Sequence, residues 1–152
     1  MKNCVICKKI QAIKSAPDPL FVAELPSGYI YLDEYQFYRG YTLLLCKKCV
    51  NELHELPPSF KQQFLKDMSL VAEAIFKAFK PRKLNYELLG NSTPHLHWHI
   101  VPRYKKDILP KIPVWNNPSF LMNKTHPSKS ELDQLRKKLL REIDKILKRE
   151  RL

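Results

Sequence analysis

Two periods run through this chain. Phe60, Phe64, Met68, Val71, Ile75 and Phe79 recur every three or four residues, which predicts a helix with one apolar face. Pro57-Pro58 and the sequence Ser59-Phe60-Lys61-Gln62 precede that run as a capping box, and Lys80-Pro81 stops it. A second helix is predicted from Ser128-Lys129-Ser130-Glu131, another capping box, with Leu132, Leu135, Leu139, Ile143 and Ile146 as its seam and Leu140 and Leu147 widening it. Elsewhere the period is two. Leu20–Leu25 and Tyr29–Asp33, around Pro26-Ser27-Gly28, predict a β-hairpin with Tyr29, Tyr31 and Asp33 on one face. Tyr41–Cys46 is almost wholly apolar, as a central strand would be. Leu84–Leu89 predicts a strand, followed by the short loop Gly90-Asn91-Ser92-Thr93-Pro94 and an antiparallel partner.

That partner, His95-Leu96-His97-Trp98-His99-Ile100-Val101, alternates most strictly. On a strand, Leu96, Trp98 and Ile100 face a core, and His95, His97 and His99 line the other face at roughly 6.6 Å per pair of residues. Residues 8–15 predict a short helix or turn, and 104–127 read as irregular. The fold class expected is α+β: about five antiparallel strands, a packed central helix and a C-terminal amphipathic helix that docks on its own domain or on a second subunit.

A length of 152 residues favours one domain, and 44% hydrophobic with 11% aromatic residues excludes a disordered chain. No apolar run approaches the roughly 18 residues of a membrane span. No secretory h-region follows Met1-Lys2-Asn3-Cys4, so a cytoplasmic protein is expected. The net charge of +12 points to an anionic partner. Its densest stretch mixes in Glu131, Asp133, Glu142, Asp144 and Glu150, a solvated face before a nucleic-acid patch. Cysteines at 4, 7, 46 and 49 are better read as metal ligands than disulfides in a reducing compartment, with redox chemistry second for Cys4 and Cys7. Two CxxC pairs by themselves describe a Cys4 site of Cys4, Cys7, Cys46 and Cys49.

The run from His95 to Val101 resembles the His-φ-His-φ-His-φ-φ signature of the histidine triad (HIT) family, where φ is apolar. The likeness extends over about residues 3–116. Cys4-x-x-Cys7 resembles the zinc-containing members, and Lys47-Lys48-Cys49 stands where they carry Lys-x-His. Gly90-Asn91-Ser92-Thr93-Pro94-His95 is similar to the stretch before the active histidine of galactose-1-phosphate uridylyltransferases. Pro102-Arg103-Tyr104 and Pro113-Val114-Trp115 resemble a bacterial and archaeal branch described as diadenosine polyphosphate hydrolases.

The resemblance implies a nucleotide-binding domain over residues 1–127, with the helix of 128–152 appended. It implies a nucleotide hydrolase acting at an α-phosphate on dinucleoside polyphosphates or nucleoside phosphoramidates. His97 would be the nucleophile, His99 a donor to phosphate oxygens, Ser92 a partner of the leaving group and Asn91 of the phosphate. It implies a structural zinc on Cys4, Cys7, Cys49 and His95, which it favours over the Cys4 set, and a homodimer. Phe21 and Leu32 are candidates for holding the base. Two alternatives stay open: a nucleotidyl transferase with phosphate or sugar phosphate as acceptor, and a non-catalytic zinc-stabilised module for nucleotide or nucleic acid. Nucleic acid and membrane are the less favoured partners.

Overall fold

A computed structural model describes residues 3–122 and 126–151. Among them, five strands form one antiparallel sheet in the order β1-β2-β3-β5-β4: β1 (Phe21–Glu24), β2 (Gly28–Leu32), β3 (Thr42–Cys46), β4 (Lys83–Glu87) and β5 (His97–Arg103). The helices are α1 (Val5–Ser15), α2 (Pro58–Phe79), α3 (Pro118–Met122) and α4 (Lys129–Glu150), with single 3-10 turns at Leu53–Glu55 and Val114–Asn116. The α+β class is as expected. No helix among the described residues is long and apolar enough to cross a membrane.

The alternation along the strands sorts side chains into two faces. Ile30, Leu32, Leu44, Cys46 and Ile100 are buried against α2 and α4. The periodic residues of those helices, Phe64, Val71 and Ile75 on one and Leu135, Leu139, Ile143 and Ile146 on the other, fill the same core. At about 25 cal/mol per Å² of apolar surface removed from water, this layer carries most of the driving force for folding. α4 lies along α2 and β1, so its seam docks on its own chain. The opposite face holds two smaller clusters. Ile6 of α1 packs on Tyr29, Tyr31 and Leu45; Tyr38, Tyr41, Val101 and Val114 pack with Phe120. The register pairs Leu45 with His97 and Leu43 with His99, which sets both histidines on this second face between the clusters.

Several boundaries depart from the sequence pattern. β5 begins at His97 rather than His95. Pro94 has no N–H to give a ladder. The His95 amide turns back to the Thr93 carbonyl at 2.8 Å, and that of Leu96 donates to Val50 at 2.8 Å. β4 ends at Glu87, short of Leu89. α2 starts at Pro58 with Pro57 as N-cap, and no capping box forms at Ser59; a proline at the first helical position has its φ already set and no N–H to leave unpaired. The Ser128 box does form, with Glu131 reciprocating.

The stretch after Arg103 is more ordered than its sequence suggests. Arg103 is 5% exposed. Its guanidinium donates to Asn85 Oδ1 at 2.8 Å and to the Ile112 and Leu109 carbonyls at 3.0 and 3.3 Å, and pairs with Asp107 at 3.3 Å. One buried cation thus satisfies the carbonyls of a loop that has no ladder of its own, and the loop carries Trp115 and Phe120 to the histidine face. Gly40 has a φ of +87°, and a Cβ there would collide with the Phe79 ring. The chain therefore turns tightly into β3, directly before Tyr41.

Candidate active site and metal centre

Cys4 is the N-cap of α1, and its Sγ accepts from the Cys7 amide at 3.4 Å. One helical turn brings Cys7 beside it. The donor atoms of Cys4, Cys7, Cys49 and His95 all lie within 4.8 Å of one another. His95 turns Nδ1 toward the Cys4 and Cys7 sulfurs, at 3.2 and 3.6 Å, while Nε2 donates to the Cys46 carbonyl at 2.9 Å. A backbone acceptor on the far nitrogen is how proteins aim a metal-binding imidazole. The Cys46 side chain is fully buried on the α2 side of the sheet and takes no part; its carbonyl does. The backbone ties both halves together, Leu96 bonding to Val50 and Cys46.

Cys4 and Cys7 are shifted in opposite directions by the crowding. Burial and the neighbouring Cys49 and Cys4 sulfurs push Cys7 up to about 12. For Cys4 burial also acts upward, but the Cys7 amide and the other two thiols outweigh it and the net is downward. A cation at the centre would remove that conflict. The three sulfurs and one nitrogen suit zinc, with no position left open for catalysis.

His97 and His99 stand next to this cluster on β5, their ring centroids 4.6 Å apart. His97 Nδ1 donates to the His95 carbonyl at 2.5 Å. The one hydrogen bond of the His97 ring to a described residue is at Nδ1, so Nε2 is left for a ligand. His99 Nδ1 meets the Tyr41 hydroxyl at 2.5 Å. Burial, and then the neighbouring His97, lower His99 to about 4, so it is neutral at physiological pH.

Two hollows lie on this side, one at His99 and one at the cysteine cluster. One, about 220 Å³, is lined by Asp33, Tyr35, Tyr41, His99, Trp115, Phe120 and Leu121. Trp115 stands edge-on to His99 at 5.7 Å and donates its Nε1 to Glu87. Burial lifts Asp33 to about 6 against the opposing pull of the Tyr35 amide, which donates to it at 2.8 Å. The other is a cleft of about 730 Å³ that runs from Cys4 and Cys49 past Asn51 and Glu55 to Ser92 and Pro94. Asn91 and Ser92 sit exposed in the bend before His95, without a hydrogen bond to a described side chain.

His97 and His99 stand together beside the four sulfur and nitrogen donors, and Ser92 lines the cleft at Cys4 and Cys49. Leu32 is sealed in the α2-side core, and Phe21 packs on Tyr29 and Tyr31; neither lines the aromatic hollow. Sequence reasoning missed Tyr41, Asp33, Glu87 and Phe120 as neighbours of the triad. Trp115 had a signal in the Pro113-Val114-Trp115 motif; the others lie on separate elements that only the tertiary fold unites.

A family model for the HIT domain matches residues 16–106, and the chain belongs to that family. It is similar to Protein hit of Bacillus subtilis (strain 168), 29% identical over 118 residues, 69% of this chain and 74% of that protein. Among solved structures it resembles a histidine triad protein of Bradyrhizobium japonicum with a TM-score of 0.74 and 26% identity, covering 87% of this chain and 94% of that one. It also shares its fold with a Zn-bound histidine triad family protein of Mycobacterium smegmatis, TM-score 0.68 and 20% identity, over 97% of each chain. Proteins of this family are of nucleotide-binding and hydrolase type. Most are enzymes, and some members only bind.

Proposed function

We propose that this protein hydrolyses nucleotides at the α-phosphate through a nucleotidyl-His97 intermediate, on dinucleoside polyphosphates or nucleoside phosphoramidates, in the manner of the diadenosine polyphosphate hydrolase branch. One observation carries the reading: the His95 carbonyl, 2.5 Å from His97 Nδ1, keeps the proton there and leaves the Nε2 lone pair free to attack. In the first step a bond forms from Nε2 to phosphorus and the bond to the leaving group breaks, the electron pair departing with that group. In the second, water adds to phosphorus and the pair returns to Nε2. His99 donates to the non-bridging oxygens, Asn91 binds the phosphate, and Ser92 donates to the departing oxygen or nitrogen. Splitting one displacement into two lowers each barrier, and fixed donors supply charge stabilisation without reorganisation.

The aromatic hollow beside His99 fits a nucleoside, with Asp33 facing the ribose hydroxyls and the rings of Tyr35, Trp115 and Phe120 taking the base. The cleft at Ser92 receives the leaving group. Cys4, Cys7, Cys49 and His95 would hold a structural zinc. His95 would be fixed by such an ion, and its carbonyl would then position the nucleophile; that a family neighbour is Zn-bound supports this. A cytoplasmic homodimer is the assembly expected. β4 is an outer strand of the sheet, and Phe76 and Tyr86 are half exposed along it, a face suited to a second copy.

The test is a hydrolysis panel of diadenosine tetraphosphate, a nucleoside phosphoramidate and a nucleotide sugar, with His97→Ala beside wild type. Turnover that disappears in the variant supports the reading; equal activity overturns it. The transferase alternative is favoured by the Ser-Thr-Pro-His stretch before the triad. It requires that added phosphate or sugar phosphate change the product, and product independent of either excludes it.

A further inference from the structure

We propose that Tyr41 is a positioning residue that holds His99 as its Nε2–H tautomer, so that adjacent imidazoles present opposite chemistry at the same ring atom. The inference rests on the nucleotidyl-histidine reading for its consequence, though not for its geometry.

The Tyr41 side chain is 2% exposed. Its hydroxyl meets His99 Nδ1 at 2.5 Å, and no other hydrogen bond reaches that oxygen among the described residues. Burial, and after it the negative charges of Asp33 and Glu87, drive its pKa upward, so the phenol keeps its proton. A buried O–H with one acceptor in reach donates to it, because leaving the donor unpaired costs the full desolvation of that group. His99 Nδ1 is therefore the acceptor, and the ring proton of this neutral imidazole sits on Nε2. Other groups at the ring do not compete for Nδ1. Glu87, opposite His99 on β4, is engaged by Trp115 Nε1. The edge of Trp115 against the His99 ring at 86° restricts its rotation.

His97 carries the reverse arrangement, with its proton on Nδ1 toward the His95 carbonyl. Two equal tautomers would fail the reaction. Two Nε2 lone pairs would set a second acceptor against the phosphate oxyanion, and two Nε2–H groups would leave no nucleophile. A backbone carbonyl and a buried phenol, 54 residues apart in the chain, enforce the difference.

The test is nitrogen-15 NMR of the histidine rings with steady-state kinetics, on the metal-loaded full chain. In wild type, His99 is expected with Nε2 protonated and Nδ1 as a hydrogen-bonded imine. In Tyr41→Phe the Nδ1 resonance moves toward that of an unbonded imine. With diadenosine tetraphosphate kcat falls about tenfold, less than removal of a direct donor to the oxyanion, while KM stays within about twofold. Tyr38→Phe is the control, since Tyr38 is also buried and hydrogen-bonded, to Asn117 at 2.9 Å; it lowers stability and leaves the His99 resonances alone. A wild-type His99 protonated on Nδ1 overturns the proposal, as does a Tyr41→Phe variant with unchanged Nδ1 signal and kcat. If wild type turns over no nucleotide, the hydrolase reading falls, and the NMR still decides for or against Tyr41.

Discussion

The two faces of this sheet are made by the same strands and do different work. On the α2 side, residues such as Ile30, Leu44 and Ile100 are wholly buried among apolar neighbours. The other face gathers three thiols, three imidazoles, a phenol and a carboxylate, most of them half-buried. Neighbouring residues of β5 alternate between the two, so one strand carries stability on one side and chemistry on the other. The side that carries the candidate site is the side left without a large helix over it. Polar groups accumulate there because each finds a partner or a ligand, and an apolar cover would bury them unpaired.

The largest contrast should come from adjacent sites on β5. His97→Ala is expected to cut kcat/KM by about a thousandfold or more while the circular dichroism spectrum is retained. Ile100→Ala should cost about 2–5 kcal/mol in urea unfolding and leave activity per folded molecule close to wild type. If Ile100→Ala instead removed activity without loss of stability, the division between the faces would be wrong.

Next are the cysteines. Cys49→Ser should lose zinc by metal analysis and lower the melting temperature. Cys46→Ser, which places a hydroxyl in the apolar core at about 1–3 kcal/mol, should keep its metal. The reverse pattern would return the centre to a Cys4 set.

Asp33 gives a smaller, pH-dependent effect on the chemical face. Burial holds its folded pKa at about 6, above the ordinary 3.8, so the fold favours the protonated form. Its contribution is fully present below pH about 4 and is lost as pH rises through about 6. Asp33→Asn should therefore raise the melting temperature relative to wild type progressively from pH 4 to pH 7, while nucleotide binding weakens. A difference that is flat with pH would remove Asp33 from the buried groups of that face.

The smallest effect belongs to the outside of the helical layer. Arg149 forks onto Glu73 at 2.9 and 3.0 Å and joins α4 to α2, with Lys77 as a further partner of Glu73. Both groups are solvated, so Arg149→Ala should shift the melting temperature less than any change above, and the shift should shrink with added salt.

The sequence by itself determined the elements and the candidate chemistry. Periods of two and of three to four located the strands and long helices, because burial of one face imposes them on any chain. The strict alternation of His95, His97 and His99 with Leu96, Trp98 and Ile100 marked the site, and the CxxC and Cys49 supplied metal donors. The family resemblance already implied different roles for those imidazoles; what only the tertiary structure decided was which groups hold each ring. His95 stands just ahead of the strand with its amide turned back to Thr93, and its carbonyl and ring serve two different neighbours. Tyr41 reaches His99 through the pairing of β3 with β5, and Arg103 carries Trp115 and Phe120 to the same place by satisfying the carbonyls of a loop with no period of its own. The bond from His97 to the His95 carbonyl is local, but the one between Tyr41 and His99 spans 58 residues, and a contact between residues so distant in sequence leaves no periodic trace.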